Sequence, residues 1–169
     1  MRSTSDTVAA IGLAIGGAFG LAGTFVASPE LRETLWAIDG VALVVATALL
    51  TMKYQRLGND CVAAGFLVFA IGESLLVSST AAGLEASVPS FGGGVALWAA
   101  ALLLISVPTT LATWVRLAGV AAAVPFAVVA ARIFRGEMLL PTTAPLPFFG
   151  YPLLVLTFVG WIATLLKRA

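Results

Sequence analysis

Long apolar stretches alternate with short polar connections along the whole chain. Each stretch is close to the roughly 20 residues that a helix needs to cross a bilayer, and a helix satisfies its own backbone polar groups in lipid. The pattern therefore predicts an all-α integral membrane protein with six transmembrane helices in a single domain over residues 1–169. The predicted spans are 8–27, 35–52, 61–83, 94–110, 114–133 and 148–166.

The overall composition agrees with a lipid environment. Of the 169 residues, 60% are hydrophobic and 10% are charged, and the mean hydropathy is +1.07. A soluble domain has about 25% charged residues, and a disordered chain has few bulky apolar side chains. Both classes are therefore excluded, and the lipid bilayer is the expected partner.

The residue counts also exclude several kinds of chemistry. The chain has no histidine and one cysteine, and its net charge is +1. Haem ligation by histidine, zinc sites with histidine and intramolecular disulfides are thereby excluded, and a nucleic-acid partner is not expected. The sequence also lacks a P-loop and a Gly-x-Ser-x-Gly motif. We expect no metal, no cofactor and no catalytic residues, and a membrane enzyme is disfavoured.

The distribution of basic residues predicts the orientation. The positive-inside rule places the side richer in Lys and Arg in the cytoplasm. Both termini are therefore predicted to be cytoplasmic, in a multi-pass protein of the cell (inner) membrane. The cytoplasmic set is Arg2, Lys53, Arg56, Arg116, Lys167 and Arg168, and the opposite set is Arg32, Arg132 and Arg135. The aromatic residues near span ends, which are predicted to be interfacial anchors, are Trp36, Trp114 and Tyr151.

A shift of 54 residues reveals an internal repeat. Residues 6–50 and 60–104 share 14 identities in 45 positions, and a weaker third copy begins near Val120. The units 6–56, 60–113 and 114–168 would then be three tandem parallel helical hairpins in one bundle, arranged around a pseudo-threefold axis. This architecture is similar to that of six-helix urea and amide channels and of acid-resistance membrane proteins, without a shared sequence motif.

Small residues predict close helix packing in the first span. Gly12, Gly16 and Gly20 recur at steps of four and therefore share one helix face, which lets another backbone approach closely. Either a second helix of the same chain packs there, or the face forms a homo-oligomer contact. Pro125 lies in the middle of the fifth span and predicts a kink, because it removes one helical hydrogen bond.

Glu73 is the strongest candidate functional residue. It lies near the centre of the third span, where an acidic side chain costs about 2.5–3.5 kcal/mol on insertion scales. The neighbouring turns of its own helix face offer it no partner, and the repeat aligns it with Phe19. Glu73 is therefore either a pathway or ligand-binding group, or a neutral acid that is hydrogen-bonded to another helix.

Asp39 is the second candidate for a pathway or ligand-binding role. The predicted span begins at residue 35, which places Asp39 about one turn inside the helix. An aspartate near a helix N-terminus interacts favourably with the helix dipole, so a structural role is the simpler explanation.

These observations leave two functions open. The first is a channel or facilitator for a small uncharged solute or for protons, with Glu73 in the pathway. The alternative is a non-transporting accessory or stress-related structural protein of the membrane, which agrees with the short loops and the sparse polar groups.

Overall fold

The computed structural model describes residues 3–80 and 82–167. It is all-helical over these residues, with six helices, which confirms the all-α part of the predicted fold class and the division between the fourth and fifth helices. Their bounds are Thr4–Phe25 (α1), Pro29–Arg56 (α2), Asp60–Thr80 (α3), Val88–Ser106 (α4), Thr113–Phe134 (α5) and Gly150–Leu166 (α6).

Five of these helices, α1 to α5, are long and apolar enough to cross a membrane. The sixth, α6, is also apolar but has 17 residues, which corresponds to about 26 Å at 1.5 Å per residue. The structure is therefore consistent with a helical membrane protein. Large apolar side chains on the outer faces of the helices are exposed, as expected where lipid is the solvent; examples are Ile11, Val41, Leu117 and Val124.

The helices form a closed ring in chain order. Each helix packs against the next along the chain, and α6 packs against α1. The buried apolar side chains of all six helices belong to one core cluster inside the ring. A site inside the ring can therefore draw residues from several helices.

Two helices begin six residues earlier than the apolar pattern predicts. α2 begins at Pro29 instead of residue 35, because Ser28 caps its first turn by accepting a hydrogen bond from Leu31 N at 3.3 Å. Pro29 also suits the first turn of a helix, where its missing N–H has no partner to lose. α4 begins at Val88 instead of residue 94, again with a proline in its first turn. The prediction from hydropathy did not include these first turns in the helices.

The end of the bundle that carries the chain termini is held by polar contacts. Lys53 Nζ lies 2.8 Å from Asp6 Oδ1, which joins α2 to α1. Arg116 donates hydrogen bonds to the carbonyl oxygens of Ser106 and Val107, at 2.8 and 2.9 Å. These bonds satisfy carbonyl groups at the end of α4. Arg2 and Arg168, which were assigned to the same side from the sequence, lie outside the described residues.

On the opposite side, one of the three basic residues is paired. Arg132 Nε donates a hydrogen bond to Glu137 Oε2 at 2.9 Å. This bond, together with the positive charge of Arg132, holds the pKa of the Glu137 carboxyl below its ordinary value. The pair ties the end of α5 to the loop that follows it, and Arg132 still counts against the predicted orientation, because the positive-inside rule counts Lys and Arg and not net charge.

The contacts do not follow the 54-residue repeat at every aligned position. Gly40 on α2 contacts the helix after it, α3, whereas its aligned partner Gly94 on α4 contacts the helix before it, again α3. Phe19 is 37% exposed, whereas its aligned partner Glu73 is 3% exposed. The aligned helices are therefore turned differently about their axes.

Candidate functional site

A cavity of about 610 Å³ occupies the end of the bundle opposite the termini. It is lined by α1, α2, α3, α4 and α6 and by residues of the loops 82–87 and 135–149, whereas α5 contributes none of the described lining residues. The cavity lies inside the ring of helices. At this end of the bundle it is surrounded by the second halves of α1 and α3 and the first halves of α2 and α6. The residues that line it include both acidic residues singled out in the sequence, Asp39 and Glu73.

Glu73 lies on the cavity wall formed by α3. Its side chain is 3% exposed, and its Oε2 atom has no hydrogen-bond partner among the described residues. Space for the other oxygen comes from Gly40 of α2, since a Cβ atom at that position would lie 3.1 Å from Glu73 Oε1. The indole N–H of Trp98 lies near Glu73, but it forms no hydrogen bond with any described residue. The arrangement differs from a carboxylic acid bonded to a carbonyl group of a neighbouring helix.

Asp39 faces the same cavity from α2. It lies ten residues after Pro29, the first residue of α2, so the explanation through the helix dipole is wrong: that effect is confined to the first turn. The residue is 9% exposed, and its Oδ1 atom has no partner within the described part of the chain. Asp39 directly precedes Gly40, the residue of α2 that lies against Glu73, and both acids line the same cavity. The structure thus brings together the two acids that the sequence had proposed separately.

The glycine face of α1 packs against α2 of the same chain. A Cβ atom at Gly12 would lie 2.8 Å from the carbonyl oxygen of Ala42, and one at Gly16 would collide with Leu43. At Gly20 the neighbour is a carboxyl group instead, because a Cβ atom there would lie 2.6 Å from Asp39 Oδ2. These contacts support the alternative in which a second helix of the same chain packs on this face, and the homo-oligomer stays a prediction.

Gly20 therefore provides the space that the Asp39 carboxyl occupies. We expect Gly20→Ala to displace this carboxyl toward the cavity while leaving the packing of α1 on α2 largely intact, because a side-chain end can move where a backbone cannot. The expected cost in stability lies at the lower end of the about 1–3 kcal/mol that overpacking causes. Thermal unfolding in detergent measures it, with Gly12→Ala as the matched comparison. A larger loss for Gly20→Ala than for Gly12→Ala would contradict this assignment.

Aromatic side chains fill the bundle interior between the cavity and the end with the termini. We call this group, Phe66, Phe69, Trp98, Phe158 and Trp161, the aromatic cluster. Phe69 is fully buried and stacks on Trp98, with ring centroids 5.4 Å apart. It also meets Phe158 and Trp161 edge to face at 5.8 and 6.0 Å. The cluster closes the inner side of the cavity.

The rim of the cavity carries charged and aromatic residues. Arg32 donates a hydrogen bond to the carbonyl oxygen of Val26 at 2.7 Å and lies over the Trp36 ring at 5.9 Å. Tyr151 donates its hydroxyl to the carbonyl oxygen of Pro141 at 2.9 Å, which ties the loop 135–149 to α6. Trp36 and Tyr151 therefore turn toward the cavity, whereas Trp114, the third predicted anchor, is 47% exposed.

Pro125 lies inside α5, which continues without interruption from Thr113 to Phe134. Its ring faces Gly150, where a Cβ atom would lie 3.4 Å from Pro125 Cβ. The proline is thus a packing element at the contact between α5 and α6. Among the described residues, no group of three His, Cys, Asp or Glu side chains is arranged to hold a metal ion.

Sequence reasoning missed the aromatic part of the site. Trp98, Phe91 and Phe158 line the cavity together with the two acids, yet in an apolar span they are indistinguishable from ordinary core residues. For the contact between α1 and α2, the glycine spacing of α1 was the available signal. It indicated that another helix approaches closely, but not that the Asp39 carboxyl group occupies part of the space.

Comparison of the chain with protein-family models, with curated proteins and with solved structures gives no match.

Proposed function

We propose that the protein is a membrane facilitator for a small solute or for protons, with Glu73 and Asp39 in its pathway. The observation that carries the proposal is the Glu73 carboxyl, which is 3% exposed, has an Oε2 atom without a described partner and faces a cavity of about 610 Å³. An intramembrane acid that faces a cavity usually marks a substrate or ion pathway, because its burial is otherwise costly.

The proposal includes six membrane crossings, organised as three consecutive helical hairpins. The ring order of the helices supports it, since consecutive helices with short connections pack as neighbours. The 17-residue α6 then crosses with its ends close to the interface, as a slightly short helix does when the bilayer thins locally. Both termini are cytoplasmic in this proposal, and the cavity opens to the opposite side of the inner membrane.

In this proposal the aromatic cluster closes the pathway toward the cytoplasm. Phe66, Phe69, Phe158 and Trp161 are each at most 2% exposed. A complete pathway therefore requires these rings to move, as in proteins that open their two sides alternately. The same closure favours the second candidate, a non-transporting membrane protein that uses the cavity only to bind a ligand.

The proposal is tested by flux measurements with Glu73→Gln in reconstituted liposomes. The substitution keeps the size of the side chain but removes its ability to ionise. We expect proton flux, followed with an enclosed pH dye, or glycerol flux, followed by light scattering, to fall at least about tenfold relative to wild type.

Asp60→Asn is the matched control, because Asp60 is exposed in the first turn of α3 at the other end of the bundle. It should leave both fluxes unchanged. Equal, background-level fluxes for wild type and Glu73→Gln would reject facilitation of protons and of small uncharged solutes and favour the non-transporting alternative.

A further inference from the structure

The described residues that line the cavity include more acidic than basic side chains. Four carboxyl side chains line it, two at depth and two at the rim, against one guanidinium group. That guanidinium, of Arg32, donates one of its Nη groups to the carbonyl oxygen of Val26 and lies over Trp36, whereas its Nε has no partner among the described residues. The carboxyl groups are those of Asp39 and Glu73 at depth and Glu33 and Glu85 at the rim. This distribution disfavours an anion and favours a cation.

The remaining surface of the cavity is largely aromatic and aliphatic. Trp36, Phe91, Trp98, Tyr151 and Phe158 line it. Aromatic faces attract organic cations, by about 0.5–2 kcal/mol for each well-placed ring. They offer little to a hydrated inorganic ion, which would lose its water without gaining oxygen ligands.

The size of the cavity also points to an organic molecule. Its volume of about 610 Å³ lies within the roughly 300–1,000 Å³ typical of sites for drug-sized ligands. A proton or a single metal ion would leave most of this apolar space unfilled. Asp39 Oδ1 and Glu73 Oε2, both buried and without a described hydrogen-bond partner, are available as acceptors for a positively charged group.

We propose that the cavity binds an amphipathic organic cation, a positively charged nitrogen or phosphorus centre with an apolar body. The charged centre lies between Asp39 and Glu73, and the body lies against the Trp98 and Phe158 rings. This inference rests on the proposed function, because it names the substrate class of the same cavity. It replaces the uncharged solute expected from the sequence.

The test compares two probes of nearly equal shape and opposite charge, tetraphenylphosphonium and tetraphenylborate. Binding to the purified, detergent-solubilised full chain is measured by isothermal titration calorimetry, with protein-free micelles as the blank. We expect the wild type to bind tetraphenylphosphonium at least about tenfold more tightly than tetraphenylborate. Glu73→Gln and Asp39→Asn should each weaken tetraphenylphosphonium binding about tenfold or more, and Asp60→Asn should leave it unchanged.

Equal binding of the two probes, or tetraphenylphosphonium binding that does not change in Glu73→Gln, would overturn the assignment of a cation. Size-exclusion profiles identify a variant that fails to fold, and the comparison of the two probes on the wild type decides the question without any variant. If tetraphenylphosphonium does not bind but glycerol flux still depends on Glu73, the substrate class is wrong and facilitation stands. If tetraphenylphosphonium binds but does not cross liposomes faster with the protein, the site is right and facilitation is wrong.

Discussion

Replacing Phe69 with alanine should both destabilise the bundle and open a leak through it. The side chain is fully buried and contacts three other rings of the aromatic cluster. Truncating such a phenylalanine costs about 3–5 kcal/mol where the neighbours cannot close the space. The space left behind would extend the cavity toward the end with the termini. We expect a lower unfolding temperature in detergent and a higher glycerol flux in liposomes.

Phe19→Ala is the control for this experiment, because Phe19 is a partly exposed residue on α1 that the repeat aligns with Glu73. It removes the same atoms without opening the interior, so stability and flux should change little. A Phe69→Ala variant that is destabilised but has wild-type flux would show that the aromatic cluster is not the barrier.

The second large effect is expected at Gly40, where α2 crosses α3. A Cβ atom at this position would overlap Val77 Cγ2 and lie 3.1 Å from Glu73 Oε1. Val77 cannot easily turn away, because a β-branched side chain in a helix has one strongly preferred rotamer. We expect Gly40→Ala to cost about 1–3 kcal/mol of stability, as overpacking in a tight core does, and to reduce flux by displacing Glu73.

A second substitution provides the decisive comparison. Val77→Ala removes the overlapping methyl groups, so the double variant Gly40→Ala with Val77→Ala should be more stable than the sum of the two single effects predicts. The control is Gly93→Ala on α4, where the new methyl group would meet only the flexible end of Leu75 at 3.1 Å. Purely additive losses in thermal unfolding would rule out a direct contact between positions 40 and 77.

The number and positions of the helices could be predicted because hydropathy reports directly on the solvent. The boundaries were less predictable where local chemistry overrides hydropathy. α2 starts at Pro29 because Ser28 caps it, although the polar residues that follow, Glu30, Arg32 and Glu33, lowered the apolar score of this segment. This early start in turn placed Asp39 well inside the helix and changed its interpretation.

The candidate site could be predicted only in part. Glu73 was found because an acid in a membrane span is rare, and this signal needs no tertiary structure. Its proximity to Asp39 depends on how α2 and α3 are turned relative to each other, which the sequence does not encode locally. The 54-residue repeat was misleading on this point, because it aligns Glu73 with the partly exposed Phe19.

The adjacent positions of Asp39 and Gly40 on α2 have a mechanical consequence. Neighbouring residues of an α-helix point about 100° apart, so α2 turns Asp39 toward Gly20 on α1 and Gly40 toward Glu73 on α3. A small rotation of α2 about its own axis would therefore compress one acid while giving room to the other. A ligand that shifts α2 by contact with one carboxyl group would therefore change the space at the other, through a single rigid element and without a change in any loop.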